Sequence, residues 1–179
     1  MTGLLAWRAL SFAAPLLAVI ALDRVSKWWV RETIWEPART IVLVPGWLEL
    51  TPVRNRGVAF GLLQDSGGLL AVAAVVGLAI LGLRSWRQLL KAPAITRVAL
   101  GLIGGGAVGN LVDRAQVGYV TDFIRVPHIE LFQVFNVSDA GIVVGTAALV
   151  LSIAWNDVRG GRKPAAQSAR RPEEAIREP

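Results

Sequence analysis

The sequence predicts an all-α membrane protein: four transmembrane helices, with a small extracytoplasmic β-sheet on the first outer loop. Three observations carry this. Apolar residues make up 54% of a 179-residue chain, more than an ordinary soluble domain of that length holds. They are concentrated in four blocks, each close to the roughly 20 residues that one bilayer crossing takes. Between the first and second blocks the pattern changes to short β-branched stretches punctuated by Pro and Gly, the signature of strands and turns.

The first span is expected at 9–30, ending in DRVSKWWV. Ala18 to Ala21 would also suit a cleaved signal peptide, but further spans follow, and Trp28 and Trp29 fit the interfacial aromatic belt. Asp23 and Lys27, at i and i+4, share a helical face and can pair there. The outer β region is expected at 38–62, built on TIVLVPGWLELTPV and followed by NRGVAFGLL. Asn55 within it is either a turn residue or a polar finger reaching a site. The second span is expected at 67–83, the third at 95–112 and the fourth at 140–155. After Asn156 the chain turns polar, and residues 157–179 are expected to form a disordered, basic cytoplasmic tail.

Orientation follows from positive charge. Arg84, Arg87, Lys91 and Arg97 crowd a short loop around Pro93, and the tail is also rich in Arg and Lys. Both are placed in the cytoplasm. Arg31, Arg39, Arg54 and Arg56 are spread over a longer, folded loop, where the rule counts less. Four spans then put both termini inside and the outer ends of the third and fourth helices at the external face.

Composition narrows the chemistry. With no cysteine and one histidine, His128, thiol nucleophiles, disulfides and thiolate metal sites are excluded, and a Ser-His-Asp triad has little room. The net charge of +6 sits beside apolar blocks and in the tail, which points to membrane lipids as partners and not to nucleic acid. Carboxylates must carry any catalysis. They gather between Gly101 and Asp139. Gly101, Gly105 and Gly109 line one helical face, where a neighbouring helix can approach closely. Asn110, Asp113 and Arg114 follow at that helix's end, a short polar link holds Asp122, and FNVSD opens the next helix with Asn136 as N-cap and Asp139 three positions on.

Acidic residues near lipid are costly and mark functional sites by default. Two carboxylates at a partly dry boundary cannot both ionise cheaply, so one keeps a proton while the other activates water. A helix N-terminus favours the anion, which assigns the charge to Asp139 and the proton to Asp122. Such a pair cleaves amides without metal, cofactor or covalent intermediate.

Five stretches in order, DRVSK, NRGVAFG, GGGAVGNLVDR, VTDF and FNVSD, resemble the successive motifs of the lipoprotein signal peptidases, the signal peptidase II enzymes of bacterial inner membranes. The resemblance covers roughly residues 22–140. It implies a four-helix membrane peptidase domain over 1–156. It also implies an aspartic endopeptidase acting on prolipoproteins, which cuts just before the cysteine that carries a diacylglyceryl group. Carried over by motif, Asp122 and Asp139 are catalytic, while Asp23, Lys27, Asn55, Asn110, Asp113, Arg114 and Asn136 shape the site or bind substrate. Asp113 is the rival for a catalytic role, but its place beside Arg114 at a helix end suits an ion-paired residue. Ser138 stands where the family usually has Ala, and Arg24 and Ser26 where it often has Gln and Thr.

Other classes remain as alternatives. A small ion-coupled membrane carrier would also place polar groups at helix breaks, though near the midplane and with an internal repeat, neither of which the sequence shows. A non-enzymatic scaffold leaves Asp122 unexplained. A Ser26–Lys27 dyad fails because adjacent helical residues do not face each other.

Overall fold

The computed structural model describes residues 2–35, 39–56, 84–128 and 134–160, with positions 76, 77, 80 and 82. Its elements are α1 (Thr2–Thr33), β1 (Ile41–Val44), β2 (Leu48–Asn55), α2 (Trp86–Lys91), α3 (Ala94–Val117), β3 (Val120–Arg125) and α4 (Val137–Gly160). Three helices among the described residues are long and apolar enough to cross a membrane: Gly3–Thr33, Ala94–Val117 and Val137–Asn156. They correspond to the expected first, third and fourth spans. The expected second span, 67–83, lies almost wholly outside the described residues, as do 57–62 of the β region and 161–179 of the tail.

Each helix outruns its apolar block. α1 reaches Thr33 because Asp23, Lys27 and Arg31 find partners on its inner face, so polar side chains continue the helix instead of ending it. α4 runs through Gly160, past the expected end of the fourth span at 155. Helix α3 ends where Gly118 adopts a left-handed conformation (φ 78°) and its N–H returns to the Arg114 carbonyl, the usual glycine stop.

Helices α1 and α3 run side by side in the same direction, and α4 runs against both. The glycine face of α3 sets the spacing. A Cβ on Gly105 would lie 2.6 Å from the Leu16 carbonyl oxygen of α1, so the two backbones are in contact there, as small-residue interfaces in membranes require. A Cβ on Gly109 would meet the Ser138 hydroxyl of α4 and, at 2.8 Å, the Asp23 carboxylate of α1. Here three helices converge. Large apolar side chains face outward instead, among them Leu17, Leu22, Val144 and Leu151, as a lipid-facing surface should.

The sheet departs from the expectation. It has three antiparallel strands in the order β1-β2-β3, and β3 comes from the segment between α3 and α4 that the sequence suggested was a short polar link. VTDF is buried along its length, because the strand lies between β2 and the helix ends. Asp122 therefore sits on a sheet, opposite Val53, with Asn55 opposite Val120. The register shifts between Leu50 and Val53, bracketing Pro52. A central strand tolerates proline only at such a break, since it has no N–H for the ladder.

Val30 of α1 and Ile34, just past its end, pack with Phe123, and Ile41, Leu50, Ile124 and Val137 close around them. This cluster seats the sheet on the ends of α1 and α4. Phe135 exchanges backbone hydrogen bonds with Ile124 at 2.8 and 2.9 Å, so β3 is tied to the residue just before Asn136.

Candidate active site

Among the described residues, Lys27, Asn136, Thr121, Asp23, Asp113 and Ser138 are among the largest fully buried side chains, and five of the six are neither apolar nor small. Burying them requires mutual satisfaction. Lys27 shows how this is met. Its Nζ lies 2.8 Å from Asp23 Oδ2 and 3.2 Å from Asp113 Oδ2, and donates to Asn110 Oδ1 at 3.1 Å. The ammonium thus has two carboxylates as ion-pair partners and one amide oxygen as hydrogen-bond acceptor, while Asp23 Oδ2 itself accepts no hydrogen bond among the described residues.

The Lys27–Asn110 hydrogen bond fixes an orientation. Lys27 can only donate, so the oxygen of the Asn110 amide must face it and the nitrogen must face away. Asn110 Nδ2 then donates to Asp139 Oδ1 at 2.7 Å. Asn136 is fixed by the same logic. Its Oδ1 accepts the Asp139 N–H at 2.9 Å, and its own N–H donates to Asp139 Oδ2 at 3.2 Å, a reciprocal capping arrangement. With the oxygen so engaged, Asn136 Nδ2 points outward and donates to Asp122 Oδ1 at 2.7 Å and Asn110 Oδ1 at 3.1 Å. Asn55 Nδ2 donates to Asp122 Oδ2 at 2.9 Å.

Asp122 and Asp139 thus come from a strand and a helix, and Asn136 touches both. Each of their four carboxylate oxygens accepts an N–H from Asn55, Asn110 or Asn136. Burial pushes the Asp122 carboxyl up to about 6, and the nearby Asp139 charge adds to this. The Asn55 and Asn136 hydrogen bonds act in the opposite sense, because they favour the anion.

Asp113 faces α1. Its Oδ1 is 3.0 Å from Arg24 and 2.7 Å from Arg31, and its Oδ2 accepts the Thr121 N–H at 3.0 Å. The neighbouring Arg114 turns back to the Asn110 carbonyl at 3.2 Å, in the field of both Asp122 and Asp139. The structure therefore brings Asp23, Lys27, Asn55, Asn110, Asp113, Arg114, Asp122, Asn136 and Asp139 to one end of the bundle.

Sequence reasoning missed Arg24, Arg31 and Thr121. Arg31 Nη2 bonds Thr121 Oγ1 at 2.6 Å as well as Asp113, joining α1, α3 and β3. The signal was present in the spacing, since Arg24, Lys27 and Arg31 recur along one face of α1. The sequence had suggested a loop charge for Arg31, because the apolar block ends before it.

Two outcomes are expected here. The Ser138 hydroxyl is buried without a hydrogen-bond partner, while its N–H donates to Asp23 Oδ1 at 3.0 Å. Ser138→Ala keeps the backbone bond and removes the orphan, so thermal or denaturant unfolding should show a gain of about 1 kcal/mol. Asn55→Leu removes a bond that favours the Asp122 anion. The alkaline limb of any activity governed by Asp122 should therefore move to higher pH; an unmoved limb in the variant's pH–rate profile would assign it to another group.

The family described as Signal peptidase (SPase) II matches residues 16–155. The lipoprotein signal peptidase of Caulobacter vibrioides is 41% identical over 149 residues, 81% of this chain and 85% of the relative. That of Syntrophomonas wolfei is 38% identical over 151 residues, 84% of this chain and 97% of the relative. A bacterial membrane enzyme solved by the in meso method at 2.3 Å shares the fold, with a TM-score of 0.73 at 23% identity over 84% of this chain and 91% of that one. With apolar helices that suit a bilayer and a polar cluster at their shared end, the chain belongs to the signal peptidase II family.

Proposed function

We propose that the protein is an aspartic endopeptidase that removes the signal peptide from prolipoproteins, cutting just before the cysteine that carries a diacylglyceryl group. The observation that carries the aspartic mechanism is the linkage of Asp122 and Asp139 through Asn136. Asp139, held by Asn110 and at the N-terminus of α4, is the anion that takes a proton from water as the water attacks the scissile carbonyl. Asp122, buried and with its carboxyl pushed up to about 6, holds the proton, hydrogen-bonds the carbonyl oxygen and stabilises the tetrahedral intermediate. As the intermediate collapses, a proton passes to the departing amine. The two acids titrate as a coupled pair.

The protein is placed in the bacterial inner membrane as a four-span protein with both termini in the cytoplasm and the site at the outer face. Two features support this. Helices α1 and α3 run in the same direction, so a return crossing between them is required, and the cationic 84–97 segment lies at the end remote from the carboxylates. A lipid-anchored substrate then presents its scissile bond at the depth of Asp122 and Asp139. The ion-coupled carrier alternative gains no support from the relatives.

The direct test is purified protein in detergent with a diacylglyceryl-modified prolipoprotein. Shortening of the substrate, unaffected by chelator, is expected. No cleavage, or cleavage abolished by chelator, would reject the aspartic reading.

A further inference from the structure

A second buried cation lies far from the carboxylates. Arg97, in the first turns of α3, is 6% exposed. Its Nε donates to Ser11 Oγ of α1 at 2.6 Å, and Nη1 donates to the Ala92 carbonyl. Ser11 is twelve residues before Asp23 on α1, about 18 Å along the helix. The contrast with Lys27 is instructive. Lys27 has two carboxylates, whereas among the described residues no acid pairs with Arg97, and the ion pairs formed there lie at the other end.

A buried charge without a counter-ion is costly, and more so beside lipid. Among the described residues two of the five guanidinium N–H groups are used, which leaves one on Nη1 and both on Nη2. Those remaining groups form the edge that takes two oxygens of a phosphate side by side. Arg84, Arg87 and Lys91 are exposed on the adjoining segment, and the Arg8 carbonyl holds the Ser11 hydroxyl at 2.8 Å. Apolar Leu10, next to Ser11, and Ile95 and Val98, beside Arg97, are exposed, as a surface along which acyl chains lie.

We propose that Arg97, held in place by Ser11, seats a phosphate at the bundle end remote from the carboxylates, and that the phosphate belongs to an anionic lipid headgroup. The surrounding cations draw the anion in, and the buried fork fixes it. Its occupancy ties the α1, α2 and α3 corner together.

The test uses full-length protein in detergent and reads unfolding temperature, with native mass spectrometry for bound lipid. Phosphatidylglycerol is expected to raise the unfolding temperature by several degrees and to remain as an adduct, while phosphatidylcholine does neither. Inorganic phosphate should have little effect; a full shift from it alone would make this an ion site and overturn the lipid assignment. Arg97→Gln should lose at least half of the phosphatidylglycerol shift, whereas Arg87→Gln keeps it. Should Arg97→Gln fail to fold, Arg97→Lys keeps the charge without the fork and should still bind the lipid more weakly. An undiminished shift in Arg97→Lys and Arg97→Gln would overturn the proposal. So would a wild-type response no larger than that to phosphatidylcholine, which would leave Arg97 as a brace for the Ala92 carbonyl.

Discussion

Asp122→Asn and Asp139→Asn are each expected to reduce turnover of the lipidated substrate by about 10³-fold or more, since each removes one partner of a coupled acid–base pair. The loss should fall on kcat, with folding retained. For Asp122 the sign of the stability effect is clear. A carboxyl raised from 3.8 to about 6 in the folded protein stabilises the fold when protonated, and that contribution is lost as pH rises through about 6. At neutral pH the ionised group is therefore a burden on the order of 2–3 kcal/mol, which Asn removes while giving up one acceptor. Asp122→Asn should melt near or above wild type at pH 7.5. In the wild type, the alkaline limb of the rate should lie at or above pH 6, because a bound peptide excludes more water from Asp122. Single-turnover cleavage and melting curves on the same samples decide the matter. Near-wild-type turnover in either folded variant would sink the pair.

Lys27→Met should have the largest effect on stability. It leaves Asp23 and Asp113 facing each other without the cation between them. It also removes the donor that sets the Asn110 amide, and so disturbs the hold on Asp139. Breaking a buried pair by deleting one partner costs about 3–5 kcal/mol. Adding Asp23→Asn should restore part of the stability, by removing one stranded charge, but not the activity. Unfolding in mixed micelles measures the first effect and cleavage the second. A Lys27→Met protein that melts within a degree or two of wild type would show that solvent already reaches the cluster.

Much of this was legible in the chain. The apolar blocks located three helices, the i and i+4 spacing of Asp23 and Lys27 anticipated their ion pair, and the four-residue recurrence of Gly101, Gly105 and Gly109 anticipated the close approach of α1. The Asn136–Asp139 spacing revealed a helix start. Strand β3 was not legible, because its partner lies far off in sequence: Asn55 and Asp122 are 67 positions apart. Six residues with one carboxylate carry too weak an alternation to stand as a strand alone. Asn55 was ambiguous for the same reason, since only pairing with β3 aims it at Asp122. Arg24 and Arg31 were obscured because charge near lipid reads as the end of a helix, when here it continues one.

The backbone clasp between Ile124 and Phe135 has a consequence for how substitutions at the two acids are read. It joins β3 to the residue just before Asn136 through main-chain N–H and carbonyl groups alone, so the spacing of Asp122 and Asn136 is set without help from either side chain. A change of side chain at Asp122 or Asp139 leaves that main-chain link in place, and its effect on turnover reports the lost group and not a displaced strand.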